Sequence, residues 1–183
     1  EIKATLTITP AKYDMSSIKF NNINVVYDGT YNTALIKGKL PDGVSCTYSN
    51  NSYKNVGSYI ATAHFSVEDS HNYQQIEDMT CSIIISARVV DIMLVQDRFV
   101  YTGNPIEPIA QITSGVISTD ECFATATNTT QVDCGTYYTA VQLSNKNYRT
   151  NKTTYKFVID KARVDMSQVE FNDVVAQFDG HPH

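Results

Sequence analysis

The sequence predicts an all-β protein made of tandem β-sandwich domains arranged end to end, and three observations carry this prediction. Threonine, tyrosine, valine and isoleucine are abundant, and these residues suit pleated, half-buried strands. No long segment shows the 3.6-residue apolar period of an amphipathic helix. The chain also repeats itself about every 75 residues, a period too long for a solenoid unit and suited to a small domain.

The repeat is visible in turn signals and anchor residues that return in step. The recurring positions are the turn Tyr27-Asp28-Gly29, which returns as Tyr101-Thr102-Gly103 and Phe178-Asp179-Gly180, the aspartates Asp14, Asp91 and Asp165, and the pairs Asn72-Tyr73 and Asn147-Tyr148. We therefore expect residues 1–10 to be the last strand of a preceding repeat. Residues 11–87 and 88–161 should be two complete repeats, and 162–183 the first strands of a following repeat.

Each complete repeat is predicted to hold six short strands separated by turn residues. The predicted strands lie near 17–20, 23–28, 33–38, 44–49, 57–66 and 78–86 in the first repeat, and near 89–94, 98–103, 108–112, 120–127, 135–144 and 153–160 in the second. Asp28-Gly29 and Pro41-Asp42-Gly43 supply turn chemistry between them. No Gly/Ser- or Pro-rich spacer joins the repeats, so we expect limited bending between them.

Composition excludes several classes of protein. With 14 Lys+Arg and a net charge of −5, the chain lacks the basic surface that nucleic acids require, so we expect no nucleic-acid partner. No apolar run approaches the roughly 20 residues of a membrane-spanning helix. No signal peptide opens the sequence, but residue 1 falls inside a repeat, so this absence carries no information about export. The cysteines and histidines show no C-x-x-C or C-x-x-H spacing, which predicts no metal site and no cofactor.

A short motif occurs once in each repeat, as Asn55-x-Gly57-x-Tyr59 and Asp133-x-Gly135-x-Tyr137. It resembles the D-x-G-x-Y stretch of immunoglobulin-like sandwiches, in which the tyrosine hydrogen-bonds backward to close a corner. The resemblance implies that Tyr59 and Tyr137 are structural corner residues. Ala61 and Thr139 stand where antibody-type domains have a cysteine, so the likeness is to the fold and not to the antibody branch.

A closer likeness is carried by motifs spread over the chain. They are Ala11-Lys12-Tyr13-Asp14-Met15, Tyr27-Asp28-Gly29, Leu40-Pro41-Asp42-Gly43-Val44, Asn55-Val56-Gly57-Ser58-Tyr59 and Asp69-Ser70-His71-Asn72-Tyr73. With them the chain resembles the tandem Ig-like modules of microbial surface and adhesin proteins, called MBG or YDG domains. The second repeat departs from this pattern between Gln111 and Asp120. The resemblance implies a secreted or cell-surface protein with repeated stalk modules and no catalytic residues.

The four cysteines are disulfide candidates. Cys122 and Cys134 lie symmetrically about Asn128, and a hairpin turn at Asn128-Thr129-Thr130 would place them face to face at a distance that suits a disulfide. Cys46 and Cys81 either bridge each other within the first repeat or remain as two buried thiols.

The sequence shows no G-x-S-x-G, Walker or H-E-x-x-H motif, so we expect no enzyme, although a Ser-His-Asp triad assembled in space leaves no local signature. Tyr31 and Tyr53 fall in or beside loops, where their rings could contact a ligand.

The function that we expect is therefore non-catalytic. The chain would be a structural or adhesive segment of an extracellular or cell-surface protein, acting as a stiff stalk or a multivalent adhesin. Its expected partners are neighbouring repeats and host or matrix glycans or proteins. Two alternatives remain open at this point: a carbohydrate- or protein-binding module with an aromatic site on its loops, and accessory domains of a larger extracellular enzyme.

Overall fold

The computed structural model describes residues 2–127, 130–173, 175 and 177–181, and these residues form strands, turns and loops but no helix. This confirms the all-β fold class that composition and periodicity predict. The predicted turn residues Asn128 and Thr129 lie outside the described residues. So do five positions of the predicted terminal strands, which are Glu1, Val174, Ala176, Pro182 and His183.

The described residues form fourteen strands, six in the first segment (residues 11–87) and eight in the second (88–161). Those of the first segment are β1 (Ile23–Val26), β2 (Asn32–Thr33), β3 (Val44–Ser49), β4 (Ser52–Tyr53), β5 (Gly57–Val67) and β6 (Met79–Ser86). Those of the second segment are β7 (Arg88–Val89), β8 (Asp91–Leu94), β9 (Arg98–Val100), β10 (Ala110–Ser114), β11 (Ala124–Thr127), β12 (Gly135–Leu143), β13 (Tyr148–Arg149) and β14 (Thr154–Asp160).

Each segment contributes one four-stranded sheet, and the two sheets have the same strand order. The first sheet is ordered β1-β6-β5-β3, and the second is ordered β9-β14-β12-β11. In both sheets, the pair at one edge is parallel (β1 with β6, β9 with β14) and the other two neighbouring pairs are antiparallel. Two-stranded sheets of β2 with β4, β7 with β13 and β8 with β10 complete the pairing.

The core of the second segment lies between its large sheet and the β8–β10 pair. Tyr155, Phe157 and Ile159 alternate along β14 and are buried, while the residues between them are more exposed. They pack against Leu94 of β8 and Ala110 of β10. This is a two-layer arrangement in which one face of each sheet is apolar, as expected for a β-sandwich.

One buried cluster crosses from the first segment to the second. Ile83 and Ile85 of β6 share it with Tyr27, and the second segment contributes Val90 and Tyr148. All five side chains are at most 4% exposed. The two segments are therefore packed against each other through a continuous apolar core.

Two of the predicted strands are largely replaced by irregular structure. The stretches near 17–20 and 33–38 form only β2 and a single bridge between Lys19 and Lys37. Gly38 supplies the physical reason, because its φ is +109° and a Cβ at this position would lie 2.7 Å from the Ser17 carbonyl oxygen. Such a close approach of two backbones turns the chain away from regular pairing.

The two ends of the chain carry exposed apolar side chains. In residues 2–10, Ile2, Leu6 and Ile8 are between 86% and 102% exposed. In the C-terminal segment, Phe171 and Phe178 are 99% and 89% exposed. The described parts of both ends therefore contribute little to the apolar cores of the two sheets.

The buried ring of Phe157 allows a test of the core. Phe157 is fully buried, so Phe157→Ala should lower the free energy of unfolding by about 3–5 kcal/mol through lost transfer energy and the cavity left behind. Phe123→Ala is the control, because that ring is 65% exposed and its loss should cost less than about 0.5 kcal/mol. Urea unfolding followed by circular dichroism measures both, and equal effects would contradict the assigned core.

The junction between the two segments as the candidate functional site

The junction is organised around one carboxylate that is shared by two tyrosines. Tyr27 follows β1 and is held there by its backbone N–H, which donates to the carbonyl of Ser86. Tyr148 begins β13. Asp120 lies in a turn, where its N–H donates to the Ile117 carbonyl. These elements bring side chains from both segments to one point.

The geometry at this point is that of a clasp, which we define as Tyr27, Asp120 and Tyr148. The hydroxyls of Tyr27 and Tyr148 each donate to Asp120 Oδ2 at 2.7 Å. The Tyr148 hydroxyl also accepts the backbone N–H of Ile117 at 3.1 Å. The two rings meet edge to face, with centroids 5.6 Å apart and an interplanar angle of 84°.

The charge state of the clasp follows from these bonds. Hydrogen bonds from Tyr148 and Tyr27 hold the pKa of Asp120 below its ordinary value, and the nearby Lys54 acts in the same direction. Burial, and then the bond to Asp120, raises the pKa of Tyr27 to about 12. Burial and the same carboxylate also raise the pKa of Tyr148. At neutral pH the clasp is one carboxylate that accepts from two neutral phenols, so its hydrogen bonds are charge-assisted.

A second polar contact crosses the junction through the side chain of Asn147. Its Oδ1 accepts the backbone N–H of Val56 at 2.9 Å, and its Nδ2 donates to Asn55 Oδ1 at 3.1 Å. The Asn145 side chain fixes Asn147 in turn by accepting its backbone N–H at 3.0 Å. Because one amide bonds to two adjacent residues of the other segment, it constrains their relative orientation as well as their separation.

The connection between the segments is itself hydrogen-bonded to the second segment. Arg88 directly follows the first segment, and its N–H donates to the Asn147 carbonyl. Its Nε donates to the Gly115 carbonyl at 2.8 Å. On the other side of the junction, Gly29 lies against Ile117, with φ of +81°. These bonds hold Arg88, the first residue of the second segment, against the rest of that segment.

The two outer ends of the segments carry some of the same residues without the clasp. Tyr101 matches Tyr27 in the repeated sequence, but it is 40% exposed. Tyr73 matches Tyr148, but it stacks on Tyr13 with centroids 4.3 Å apart. By strand register Cys46 matches Ala124, which places Asp42 of the turn Pro41–Val44 at the position of Asp120. The Asp42 carboxylate is exposed and lies 3.8 Å from Lys39 Nζ, so it forms a surface ion pair where Asp120 accepts from two phenols.

The predicted corner tyrosines make the same backward hydrogen bond in the two segments, although their neighbouring rings differ, Tyr53 for Tyr59 and Phe157 for Tyr137. The Tyr59 hydroxyl donates to the Asn55 carbonyl at 3.1 Å, and the Tyr137 hydroxyl donates to the Asp133 carbonyl at 2.9 Å. Each ring lies over the glycine two residues before it. A Cβ on Gly57 would come within 2.6 Å of the Tyr59 ring, which explains why this position carries no side chain.

The four cysteines are free thiols in the structure, and the register of β11 and β12 separates the first predicted pair. Ala124 pairs with Leu143, and the N–H of Ser144 donates to the Phe123 carbonyl, so Cys122 lies opposite the far end of β12. Cys134 precedes the near end, about 30 Å away along the strand. This corrects the hairpin centred on Asn128, because Thr127 pairs with Ala140 and leaves a much longer connection.

The second predicted pair is separated by an intervening strand. Cys46 of β3 pairs with Phe65, and Cys81 of β6 pairs with Ala61, so β5 lies between them. Two strand spacings across and four residues along give a Cα separation of about 16 Å, far beyond the roughly 7 Å that a disulfide allows. Cys81 is buried and Cys46 is half-buried.

The two candidate ligand contacts lie on or beside the paired strands β2 and β4. Tyr31 precedes β2 and is 72% exposed. Tyr53 pairs with Asn32, the next residue after Tyr31. One face of the Tyr53 ring is covered, because it stacks on Tyr59 at a centroid distance of 3.7 Å and an angle of 7°. Tyr31 thus remains the more accessible of the two rings.

A scan against protein-family models and a search of curated protein sequences both find no match to this chain. Within the described residues, no helix is long and apolar enough to cross a lipid bilayer. The same residues contain no group of three or more His, Cys, Asp or Glu side chains placed to hold a metal ion.

Sequence reasoning did not identify Asp120 as a site residue. The available signal was the departure of the second repeat from the pattern of the first between Gln111 and Asp120. The turn at the end of that stretch carries Asp120. A local difference between repeats therefore marked the residue on which the junction is centred.

Removing one phenol hydroxyl tests the clasp. Tyr148→Phe keeps the ring but removes the donor to Asp120 and the acceptor for the Ile117 N–H, so we expect a loss of about 1.5–3 kcal/mol in the free energy of unfolding. Tyr138→Phe is the matched control, since that side chain is 63% exposed and should change stability by less than about 0.5 kcal/mol. A Tyr148→Phe variant as stable as the control in urea titration would refute the clasp.

The raised pKa of Tyr27 predicts a loss of stability at alkaline pH. A tyrosine with a folded pKa of about 12 and an ordinary value of 10.0 binds its proton more tightly when folded. Its contribution is therefore complete below pH 10 and is lost as the pH rises through 12. Urea midpoints measured across this window should fall more steeply for the natural chain than for Tyr27→Phe. Parallel pH curves would show that Tyr27 is not held neutral by the junction.

Proposed function

We propose that this chain is a segment of a tandem array of immunoglobulin-like β-sandwich modules. In this proposal the array is a non-catalytic structural or adhesive part of a secreted or cell-surface protein, and residues 11–87 and 88–161 are two of its modules. The observation that carries the proposal is the junction, where a shared carboxylate, a bridging amide and a continuous apolar cluster join two units of the same strand order.

Two features favour the immunoglobulin-like interpretation. The sheets β1-β6-β5-β3 and β9-β14-β12-β11 have one order, which is expected if each unit folds by the same plan. The corner tyrosines Tyr59 and Tyr137 make the same backward hydrogen bond at the start of the corresponding strands β5 and β12. Both features favour the likeness to the tandem Ig-like modules of microbial surface and adhesin proteins.

The outer ends of the two units favour an array that continues beyond them. Tyr101 and Gly103, with φ of +78°, repeat the Tyr27 and Gly29 of the junction at the far end of the second unit. Exposed alternating apolar residues precede the first unit, and Ile8 stands where Ile85 stands in β6. Residues of this kind would be buried if a further unit packed on each end.

The mechanism of such an array is stiffness and multiplicity. A junction held by hydrogen bonds and apolar packing fixes the orientation of one module relative to the next. A series of such modules would hold a terminal domain away from the surface to which the protein is attached. Repetition also multiplies weak contacts with host or matrix glycans or proteins, because linked sites bind at a high effective concentration. Neither role includes a bond-making step.

Tyr31 favours a second candidate function, a binding module with an aromatic site on its loops. Its side chain is 72% exposed, directly before the strand β2 that pairs with Tyr53. Such a module would bind a glycan through ring stacking. Binding of the chain to a glycan array that Tyr31→Ala abolishes would favour this candidate over the purely structural role.

Small-angle scattering on the 183-residue chain tests the stiff junction. We expect one extended conformation whose pair-distance distribution does not change with temperature below unfolding. Inserting Gly-Gly-Ser between Ala87 and Arg88 is the control, since such a spacer behaves as a flexible coil and should broaden the distribution. The stalk proposal fails if the natural chain scatters like the variant with the insertion.

A further inference from the structure

The outer face of the first sheet carries a hydrogen-bonded chain of three side chains that the proposed structural role does not use. Ser49 Oγ lies 2.8 Å from His64 Nε2, and His64 Nδ1 lies 2.6 Å from Asp78 Oδ2. The order of the contacts matches that of a serine nucleophile, an imidazole base and an orienting carboxylate. The three residues come from separate parts of the sequence, so no local sequence motif identifies them.

Strand register places this trio. Thr47 of β3 pairs with His64 of β5, so Ser49, two residues further along β3, lies diagonally beside His64 on the same face. Ala63 pairs with Met79 of β6, which puts Asp78 next to His64 on the other side. All three side chains stand on or beside hydrogen-bonded strands rather than on long loops, and their spacing is set by the backbone.

The fold does not require these residues, as the second segment shows. Its register places Thr127, Gln142 and Lys152 at the positions of Ser49, His64 and Asp78. The second sheet forms with the same strand order without a serine, an imidazole or a carboxylate at those positions. The trio therefore adds chemistry to one sheet and is not a condition for building it.

The contacts allow a tautomer in which the trio can react. With its proton on Nδ1, the His64 imidazole donates to Asp78 Oδ2, and its Nε2 lone pair is directed at the Ser49 hydroxyl. In this tautomer the hydroxyl donates to Nε2, and the imidazole can take its proton as oxygen attacks an electrophile.

We propose that Ser49 is a nucleophile for acyl transfer from carboxylic esters, with His64 as its general base and Asp78 as the positioning residue. Ser49 Oγ attacks the ester carbonyl carbon while its proton passes to His64 Nε2. The carbon–alkoxy bond then breaks, and the departing alcohol takes that proton. A water molecule next attacks the acyl-serine carbonyl and gives its proton to Nε2. The acid leaves as Ser49 recovers the proton.

The open setting of the trio determines which esters it can reach. The His64 and Asp78 side chains are 43% and 50% exposed, so a substrate approaches from solvent across a sheet face. Thr47 and Thr62, which pair with His64 and Ser49, add hydroxyls to this face. The site therefore suits acyl esters carried on large or extended molecules and selects for reactive acyl groups rather than for a shape.

A fluorophosphonate probe tests the inference on the full chain. Labelling followed by peptide mass spectrometry should place the probe on Ser49, with the exposed Ser66 of the same strand pair as the internal comparator. His64→Gln introduces the residue type that the second segment has at this position, Gln142. This variant should label about 100-fold more slowly or slower still, because it lacks the general base. Unchanged urea midpoints would show that the variant is folded.

Asp78→Asn separates positioning from a merely structural role. If Asp78 holds the imidazole tautomer, the variant should label slowly and with a displaced pH profile, while Thr80→Ala, beside it, leaves the profile unchanged. Ser49 labelled no faster than Ser66, or labelled equally in His64→Gln, overturns the proposal. Scattering reports on the junction independently, so the acyl-transfer inference and the stalk proposal fail separately.

Discussion

The structure depends most on the single carboxylate of Asp120, which accepts hydrogen bonds from Tyr27 and Tyr148. Each phenol is buried in the cluster that joins the two segments, where an unpaired hydroxyl would carry a desolvation penalty. One charged acceptor satisfies both donors at once. Because the two tyrosines belong to different segments, satisfying them fixes how the segments meet.

The repeated sequence contains two kinds of position, those that build each sheet and those that form the contact between the segments. The strand order, the corner tyrosines and the glycines beneath them are shared and build the same sheet twice. The turn that carries Asp120 has different surroundings in the first segment, where Asp42 lies in an exposed ion pair with Lys39. The common residues maintain the scaffold, and the partners of this turn control the contact between the two segments.

The same division appears on the outer face of the first sheet. A sandwich needs only one face of each sheet for its core, so the other face can vary without loss of the fold. Ser49, His64 and Asp78 occupy that free face, and the second segment has Thr127, Gln142 and Lys152 there. The trio is thus a departure from the repeat, placed where the core does not constrain the residue type.

By itself the sequence determined the all-β class, most strand positions and the corner tyrosines, because β-branched composition, alternation and Gly-x-Tyr spacing are local properties of the chain. The strand at 44–49 was predicted at the bounds of β3. Only the tertiary structure decided which distant residues meet, because register depends on how whole strands pair. It separated Cys122 from Cys134 and Cys46 from Cys81, and it brought Asp120 between two tyrosines and His64 between Ser49 and Asp78.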